Sequence, residues 1–393
     1  MIAARSRLSR RAAALPRNVF LAMDAAKAGA RARGQAIIDL SIGSSDLPPP
    51  EAALAALESA VRDPGTHGYA LYEASRPLRL AAATWMNRRF GLALGLDEIL
   101  ALIGSQEGLA HLLLALTDPG DLVLAPDPAY PSYFGAFALA GLEVHAMPLS
   151  LERGFLPDFS AVPRAVARQA KLVVLNYPNN PTAGVASPAF WREAVAFCTA
   201  YDLVLVHDFP YSEMTFSGYK APSALETPGA LERTVELHSL SKSHHMGGFR
   251  VGWAAGNADL IAALAAVKAP IDFNPYLGIQ RAAVAALESD PARVRADAAR
   301  LEARRDAVLG AMRRMNWNAP VPAASMYVWA PLPGGETDSF AFCERLCLET
   351  GVALAPGRGF GERGEGWVRL ALVREPAELE AAVERIARWL SAP

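Results

Sequence analysis

Ser239-Leu240-Ser241-Lys242-Ser243-His244-His245-Met246-Gly247-Gly248-Phe249-Arg250 follows directly on the apolar run Thr234-Val235-Glu236-Leu237. One lysine stands among small hydroxyl residues where that run ends. A glycine pair follows, and an arginine lies eight positions after the lysine. A lysine fixed at a strand end can form a Schiff base, while nearby hydroxyls and a guanidinium can hold a phosphate. That combination is what pyridoxal phosphate requires of a protein. Of the chain's five lysines (27, 171, 220, 242 and 268), only Lys242 has this setting. Taken alone, the same pattern also fits a solvated lysine in a Ser/Gly loop.

Working outward, two more apolar runs end in polar residues. Leu172-Val173-Val174-Leu175 leads into Asn176-Tyr177-Pro178-Asn179-Asn180-Pro181-Thr182, and Leu203-Val204-Leu205-Val206 leads into His207-Asp208-Phe209-Pro210-Tyr211. Short apolar runs of this kind read as buried parallel strands delivering polar side chains to the sheet's carboxyl edge. With the later Arg369, these motifs resemble the class I/II aminotransferases of fold type I, from about Leu15 to Leu390. They occur in that family's order, 28 residues from Asn180 to Asp208 and 34 from Asp208 to Lys242. The resemblance implies an α/β fold: a mainly parallel seven-stranded sheet in a large domain, with a small α+β domain attached.

The element pattern agrees. Strands are expected at 37–43, 99–103, 121–125, 143–147, 171–176, 203–208, 234–239 and 250–255. Helices are expected from Glu51 and over 189–201, separating most strands. Residues 260–315, rich in Ala, Leu and Arg, read as a long helical connector. The expected division is an N-terminal arm over 1–48, a cofactor-binding domain over 49–285 and a small domain over 286–393.

At 393 residues with 52% hydrophobic content, the chain can bury a sizeable core. A formal net charge of −2 without a basic stripe argues against nucleic acid as a partner. No apolar run is long enough to span a membrane. The three cysteines (198, 343, 347) suit free thiols in a reducing compartment, and the histidines lack zinc-ligand spacing. Arg5, Arg7, Arg10, Arg11 and Arg17 precede the first acidic residue, Asp24. A transit peptide has this look; a solvated arm and a cytoplasmic enzyme are the expectation.

By the same resemblance, Lys242 is the Schiff-base lysine and Asp208 the partner of the pyridinium nitrogen, although an Asp at a strand end can also merely cap a loop. Asn180 and Tyr211 would hydrogen-bond the ring's phenolic oxygen. Ser105-Gln106-Glu107 opens a helix straight after a strand, so its free N–H groups can meet a phosphate; alone it is an ordinary helix start. Ser239, Ser241 and Arg250 complete the phosphate set. Tyr130 would stack on the pyridine face, with a core tyrosine as the alternative. Tyr69 would reach the phosphate of a neighbouring subunit, implying a homodimer with shared sites. Arg369 would clamp a substrate carboxylate, helped by Asn180 and by the Gly43 backbone. The Gly-rich stretch 356–361 does not open a helix after a strand, so it reads as a turn and not a nucleotide loop.

Three departures from the family pattern stand out: Ala183 before Gly184 where a glycine is usual, Ala74 in place of a glycine, and His244-His245 in place of a tyrosine and an asparagine. Ala183 is expected either to keep an ordinary backbone conformation or to shift the turn by one residue. The histidine pair is expected to reshape the pocket wall.

The expected reaction is transamination between an L-amino acid and a 2-oxo acid, with 2-oxoglutarate as the second pair. The motifs fit most closely the branch that handles LL-diaminopimelate, its N-succinyl precursor or alanine. A broad-specificity alanine, aspartate or aromatic aminotransferase remains an alternative. So does an α,β-eliminating lyase such as a C–S lyase, because one such site can serve several reactions. A non-enzymatic regulator is a third, disfavoured because no DNA-binding module fits ahead of Leu15.

Overall fold

Seven short segments form one sheet; six are apolar and largely buried, while Glu143–Pro148, at one edge, buries only Met147. In the computed structural model, which describes residues 8–16 and 19–391, the strands run in chain order. They are β1 (Ile38–Asp39), β2 (Ile99–Leu102), β3 (Leu122–Asp127), β4 (Glu143–Pro148), β5 (Ala170–Leu175), β6 (Val204–Asp208), β7 (Thr234–Ser239) and β8 (Gly252–Gly256), then β9 (Tyr327–Pro331), β10 (Val352–Ala353), β11 (Ala355–Pro356) and β12 (Trp367–Ala371). The large sheet has the order β2-β8-β7-β6-β5-β3-β4. Strands β3 to β7 pair in parallel, whereas β8 is antiparallel to both β2 and β7.

Strand β8 enters the sheet tightly. A Cβ on Gly252 would lie 2.2 Å from the His238 carbonyl oxygen, so only glycine allows this approach. The expected strand at 250–255 begins two residues later because Arg250 adopts a left-handed conformation (φ 53°). Helices cover both faces, among them Ser105–Leu116 and Pro131–Ala140 on one side, Glu51–Arg62 and Pro188–Tyr201 elsewhere.

A second core lies around the antiparallel sheet β11-β12-β9. It gathers Phe342, Cys343, Leu346 and Cys347 from the helix Ser339–Thr350, Leu379 and Ile386 from Pro376–Leu390, and Met23 and Ala26 from Val19–Ala32. The strand expected at 37–43 shortens to β1, which pairs with β10 and never joins the large sheet. Residues 260–315 divide into three helices, Ala258–Lys268, Leu277–Glu288 and Pro291–Arg314. The last of these runs into the second core through Leu301, Val308 and Met312. Arg10 and Arg11 lie on an exposed helical turn, Arg10–Ala13; Arg5, Arg7 and Arg17 lie outside the described residues. No helix among the described residues is long and apolar enough to cross a membrane.

Candidate active site

The carboxyl ends of β5, β6 and β7 are adjacent and bring Asn176, Asp208 and Ser239 to one edge of the sheet. Opposite this edge stand the segment after β1 and strands β9 and β12. Between them lies a cavity of about 490 Å³. Its lining includes Gly43, Ser105, Gln106, Tyr130, Asn180, Asp208, Tyr211, Ser239, Ser241, Lys242, Arg250 and Arg369. Residues from well-separated chain segments therefore converge on one space.

Lys242 occupies the short helix Leu240–Ser243 that opens where β7 ends; Ser239 caps that helix by accepting from the Ser241 N–H at 3.1 Å. The lysine is half-buried and its Nζ donates to the Gly43 carbonyl at 2.6 Å. Asp208 closes β6 and is fully enclosed. Burial raises its pKa against the Tyr133 hydroxyl, which donates to Oδ2 at 2.5 Å, and against Ser105. Its other oxygen, Oδ1, is buried without a hydrogen-bond partner. A buried carboxylate oxygen left unpaired is costly, and it marks where a cationic N–H donor fits.

Asn176 braces the neighbouring turn: its side chain donates to the Asp208 carbonyl and accepts from the Asn180 N–H, both at 2.7 Å. Asn180 Oδ1 accepts from Arg369 Nη1 at 2.8 Å, and Arg369 Nη2 donates to the Ser41 carbonyl at 2.8 Å. Arg369 is 1% exposed, with Nε unpartnered and its guanidinium 4.1 Å from the Tyr327 ring centroid and 4.7 Å from that of Phe360. No carboxylate among the described residues pairs with it. A buried, aromatic-flanked guanidinium without a carboxylate suits an anionic ligand.

The Tyr211 and Tyr327 hydroxyls lie 3.1 Å apart. Burial, reinforced by Tyr327, pushes the Tyr211 phenol well up. At Tyr327 burial pulls the same way, but the charges of Arg369 and Lys242 outweigh it and leave the more acidic phenol of the two. Tyr327 also packs so closely on Gly43 that a Cβ there would lie 1.9 Å from its hydroxyl.

At the other end, Gly104 (φ 91°) links β2 to the helix Ser105–Leu116. A Cβ on it would stand 2.7 Å from an Arg250 nitrogen, so glycine is what admits the arginine. The free N–H groups of Ser105 and Gln106, the Ser239 and Ser241 hydroxyls and Arg250 thus gather in one corner, a donor set suited to phosphate. The Tyr130 hydroxyl donates to Gln106 Oε1 at 3.2 Å.

Two expected residues do not join this lining. The Glu107 side chain turns away, accepting from the Ile103 N–H at 2.7 Å and pairing with His111 (2.6 Å) and Lys268 (3.2 Å). Tyr69 is 85% exposed, its ring 5.7 Å from that of Phe273, outside this chain's cavity. Ala183 keeps neither an ordinary conformation nor a shifted turn: it takes φ 57°, the left-handed geometry that a glycine adopts freely. His245 lines the cavity, while His244 is buried behind it, its pKa pushed down to about 4 by desolvation.

Phe20, Ser45, Tyr133, Asn176 and Tyr327 also line the cavity without having been singled out as site residues. Asn176 opens the polar motif that follows its strand, and Tyr133 stands in the first turn of the helix Pro131–Ala140, three residues after Tyr130.

A family model described as Aminotransferase class I and II matches residues 35–386. An LL-diaminopimelate aminotransferase of Syntrophobacter fumaroxidans is 44% identical over 95% of this chain and 96% of its own length. Among solved structures, a probable N-succinyldiaminopimelate aminotransferase from Thermus thermophilus is 49% identical, with a TM-score of 0.90 over 94% of this chain and 99% of its own. An aspartate aminotransferase from Thermus thermophilus with maleate is 30% identical, with a TM-score of 0.91 over 98% of this chain and 99% of that one.

Proposed function

The chain belongs to the class I and II aminotransferases, and from that membership we propose that it is a pyridoxal-phosphate enzyme of the diaminopimelate branch. It is a transaminase with the fold type I architecture. On our reading its amino donor is LL-diaminopimelate or the N-succinylated form, with glutamate and 2-oxoglutarate as the second pair. Near-full-length likeness to the diaminopimelate enzymes carries this reading.

The cavity's donor set supports pyridoxal phosphate as the cofactor. Lys242 would hold it covalently, the unpaired Asp208 Oδ1 would take the pyridinium N–H, and Asn180 and Tyr211 the phenolic oxygen. Ser105, Gln106, Ser239, Ser241, Arg250 and the Glu107 N–H would take the phosphate, with Tyr130 against the ring. When bound, the cofactor supplies an electron sink for the pair left at substrate Cα.

The chain's own residues do the rest. Arg369 offers two parallel N–H donors to the substrate's α-carboxylate, fixing Cα beside Lys242. Asn180 and the Ser41 carbonyl hold that guanidinium at 2.8 Å, so it needs no reorganisation on binding. Lys242 Nζ would serve as the base that takes the proton leaving substrate Cα. Burial raises the Asp208 pKa and the Tyr133 donor opposes it, favouring the carboxylate that a pyridinium N–H would need.

The division into an arm (1–48), a large domain (49–285) and a small domain (286–393) belongs to the same reading. So does a homodimer in which Tyr69 completes the partner's site; its exposed ring supports this. Three free, buried cysteines support a cytoplasmic setting. The substrate is tested with purified enzyme, 2-oxoglutarate and a panel of amino donors, scored by glutamate formed. LL-diaminopimelate or its N-succinyl form should turn over best. A strong aliphatic or aromatic donor with both of these inert would leave only the aminotransferase assignment standing.

A further inference from the structure

His245 sits three residues after Lys242, lines the same cavity, and is held at both ring nitrogens. Nδ1 lies 2.7 Å from the Ser45 hydroxyl and Nε2 lies 3.1 Å from Asp297 Oδ2. Ser45 belongs to the segment after β1 that carries Gly43; Asp297 lies in the helix Pro291–Arg314. Three separate parts of the fold therefore meet at one imidazole.

The hydrogen-bond directions follow from the partners. An ionised Asp297 only accepts, so Nε2 carries the proton and donates. In a neutral ring Nδ1 then accepts, and the Ser45 hydroxyl must donate to it. Ser45 Oγ is left to accept, which it does from the Leu47 N–H at 3.2 Å. Leu47, Ser45, His245 and Asp297 thus form a chain with one direction throughout. It pins the loop that presents the Gly43 carbonyl to Lys242 at 2.6 Å and the Ser41 carbonyl to Arg369 at 2.8 Å.

We propose that His245 is a positioning residue of the substrate-carboxylate subsite, acting through Ser45 to hold the 41–47 loop against Lys242 and Arg369. The proposal deepens the transaminase reading and rests on it. His245 touches neither reacting atom, so it governs how well substrate is bound more than how fast bound substrate reacts. Protonation would put a second N–H at Nδ1 and force the Ser45 hydroxyl to turn away, breaking the chain's direction.

The charged groups around the ring fix where that happens. Burial disfavours the imidazolium; Asp297 and, more weakly, Asp46 favour it, and Arg293 opposes it. Arg293 is itself engaged, its Nε 3.6 Å from Asp297. His244, adjacent in the chain, is buried and held neutral. With its pKa below the ordinary 6.5, His245 is neutral above that pH and charges only as pH falls further.

The backbone here is left-handed (φ 57°), which Asn tolerates well. Asn would keep a polar atom near the Nδ1 position, facing Ser45, whereas Gln would place one near Nε2, facing Asp297. His245→Ala and His245→Gln should raise KM for both the amino donor and 2-oxoglutarate about tenfold with kcat within about threefold. His245→Asn should return KM to within about threefold of wild type. The wild-type KM should climb as pH falls below about 6.5, and the Asn variant should lack that rise.

A second readout does not depend on turnover. In protein with ¹⁵N-labelled histidine rings, the His245 signals, identified by their loss in His245→Asn, should report a protonated Nε2 and a bare Nδ1 at pH 8. A fall in kcat at unchanged KM, an Asn variant no better than Gln, or the opposite tautomer would overturn the proposal. Failure of wild type to transaminate any donor would overturn the functional reading instead, with the tautomer result still standing.

Discussion

Tyr133→Phe isolates one hydrogen bond in the site. The hydroxyl donates to Asp208 Oδ2 at 2.5 Å, and both groups are buried. The ring packs edge-on to Tyr130, centroids 5.6 Å apart, and lies 6.5 Å from Phe137; phenylalanine preserves both contacts. Removing a donor to a charged buried acceptor costs about 1.5–3 kcal/mol. At about 1.36 kcal/mol per tenfold, that range spans a fall of about 10- to 160-fold in kcat if the Asp208 charge counts fully in the transition state. Ser105 also supports the carboxylate, so the lower part, about 10- to 50-fold, is expected. The direction follows from the sign of the shift: burial already raises the Asp208 pKa, Tyr133 opposes it, and losing Tyr133 raises it further. The assay is kcat at saturating donor and acceptor with cofactor content measured by absorbance, beside a thermal melt that reports folding separately. A kcat within twofold of wild type in folded, cofactor-loaded protein would refute the argument that Tyr133 maintains the Asp208 charge.

Asp208→Asn should retain the cofactor yet lose about 100-fold or more in kcat, because the lost charge acts on the transition state; an unchanged rate constant contradicts its role. Ala183→Gly relieves a left-handed alanine, a gain of about 1–2 kcal/mol, offset by about 0.4–1 kcal/mol of added unfolded-chain entropy. The chemical-denaturation midpoint should therefore rise, and a fall would mean that the alanine methyl matters more than its backbone. The protein should run as a homodimer at micromolar concentration in light scattering, with Tyr69→Phe weakening cofactor retention; a fully active monomer rules out the shared site.

Much of the sheet was legible because buried parallel strands are short apolar runs with polar ends. All seven expected segments from 99 to 256 entered one sheet. The antiparallel insertion of β8 was not legible, since it depends on Gly252 passing the His238 carbonyl, a contact between residues 14 apart that no local pattern records. The short strand expected at 37–43, within the arm, is found at Ile38–Asp39, but its partner strand Val352–Ala353 lies more than 300 residues away and no local pattern records the pairing. In the site, residues on the strand ends were readable from motif and spacing. Tyr327 and Ser45 were not, because their place is set by partners 116 and 200 residues away. Glu107 shows the converse, a side chain next to the right backbone that finds Lys268 and His111 instead.

The central claim is that Lys242, alone among the five lysines, holds the cofactor covalently. Borohydride treatment of the cofactor-loaded enzyme, followed by peptide mapping, tests it most directly. A single reduced pyridoxyl group on Lys242 is expected, with Lys242→Ala giving none and losing transamination almost entirely. A reduced adduct on Lys27, Lys171, Lys220 or Lys268, or a Lys242→Ala variant that still turns over at the wild-type rate, would contradict it.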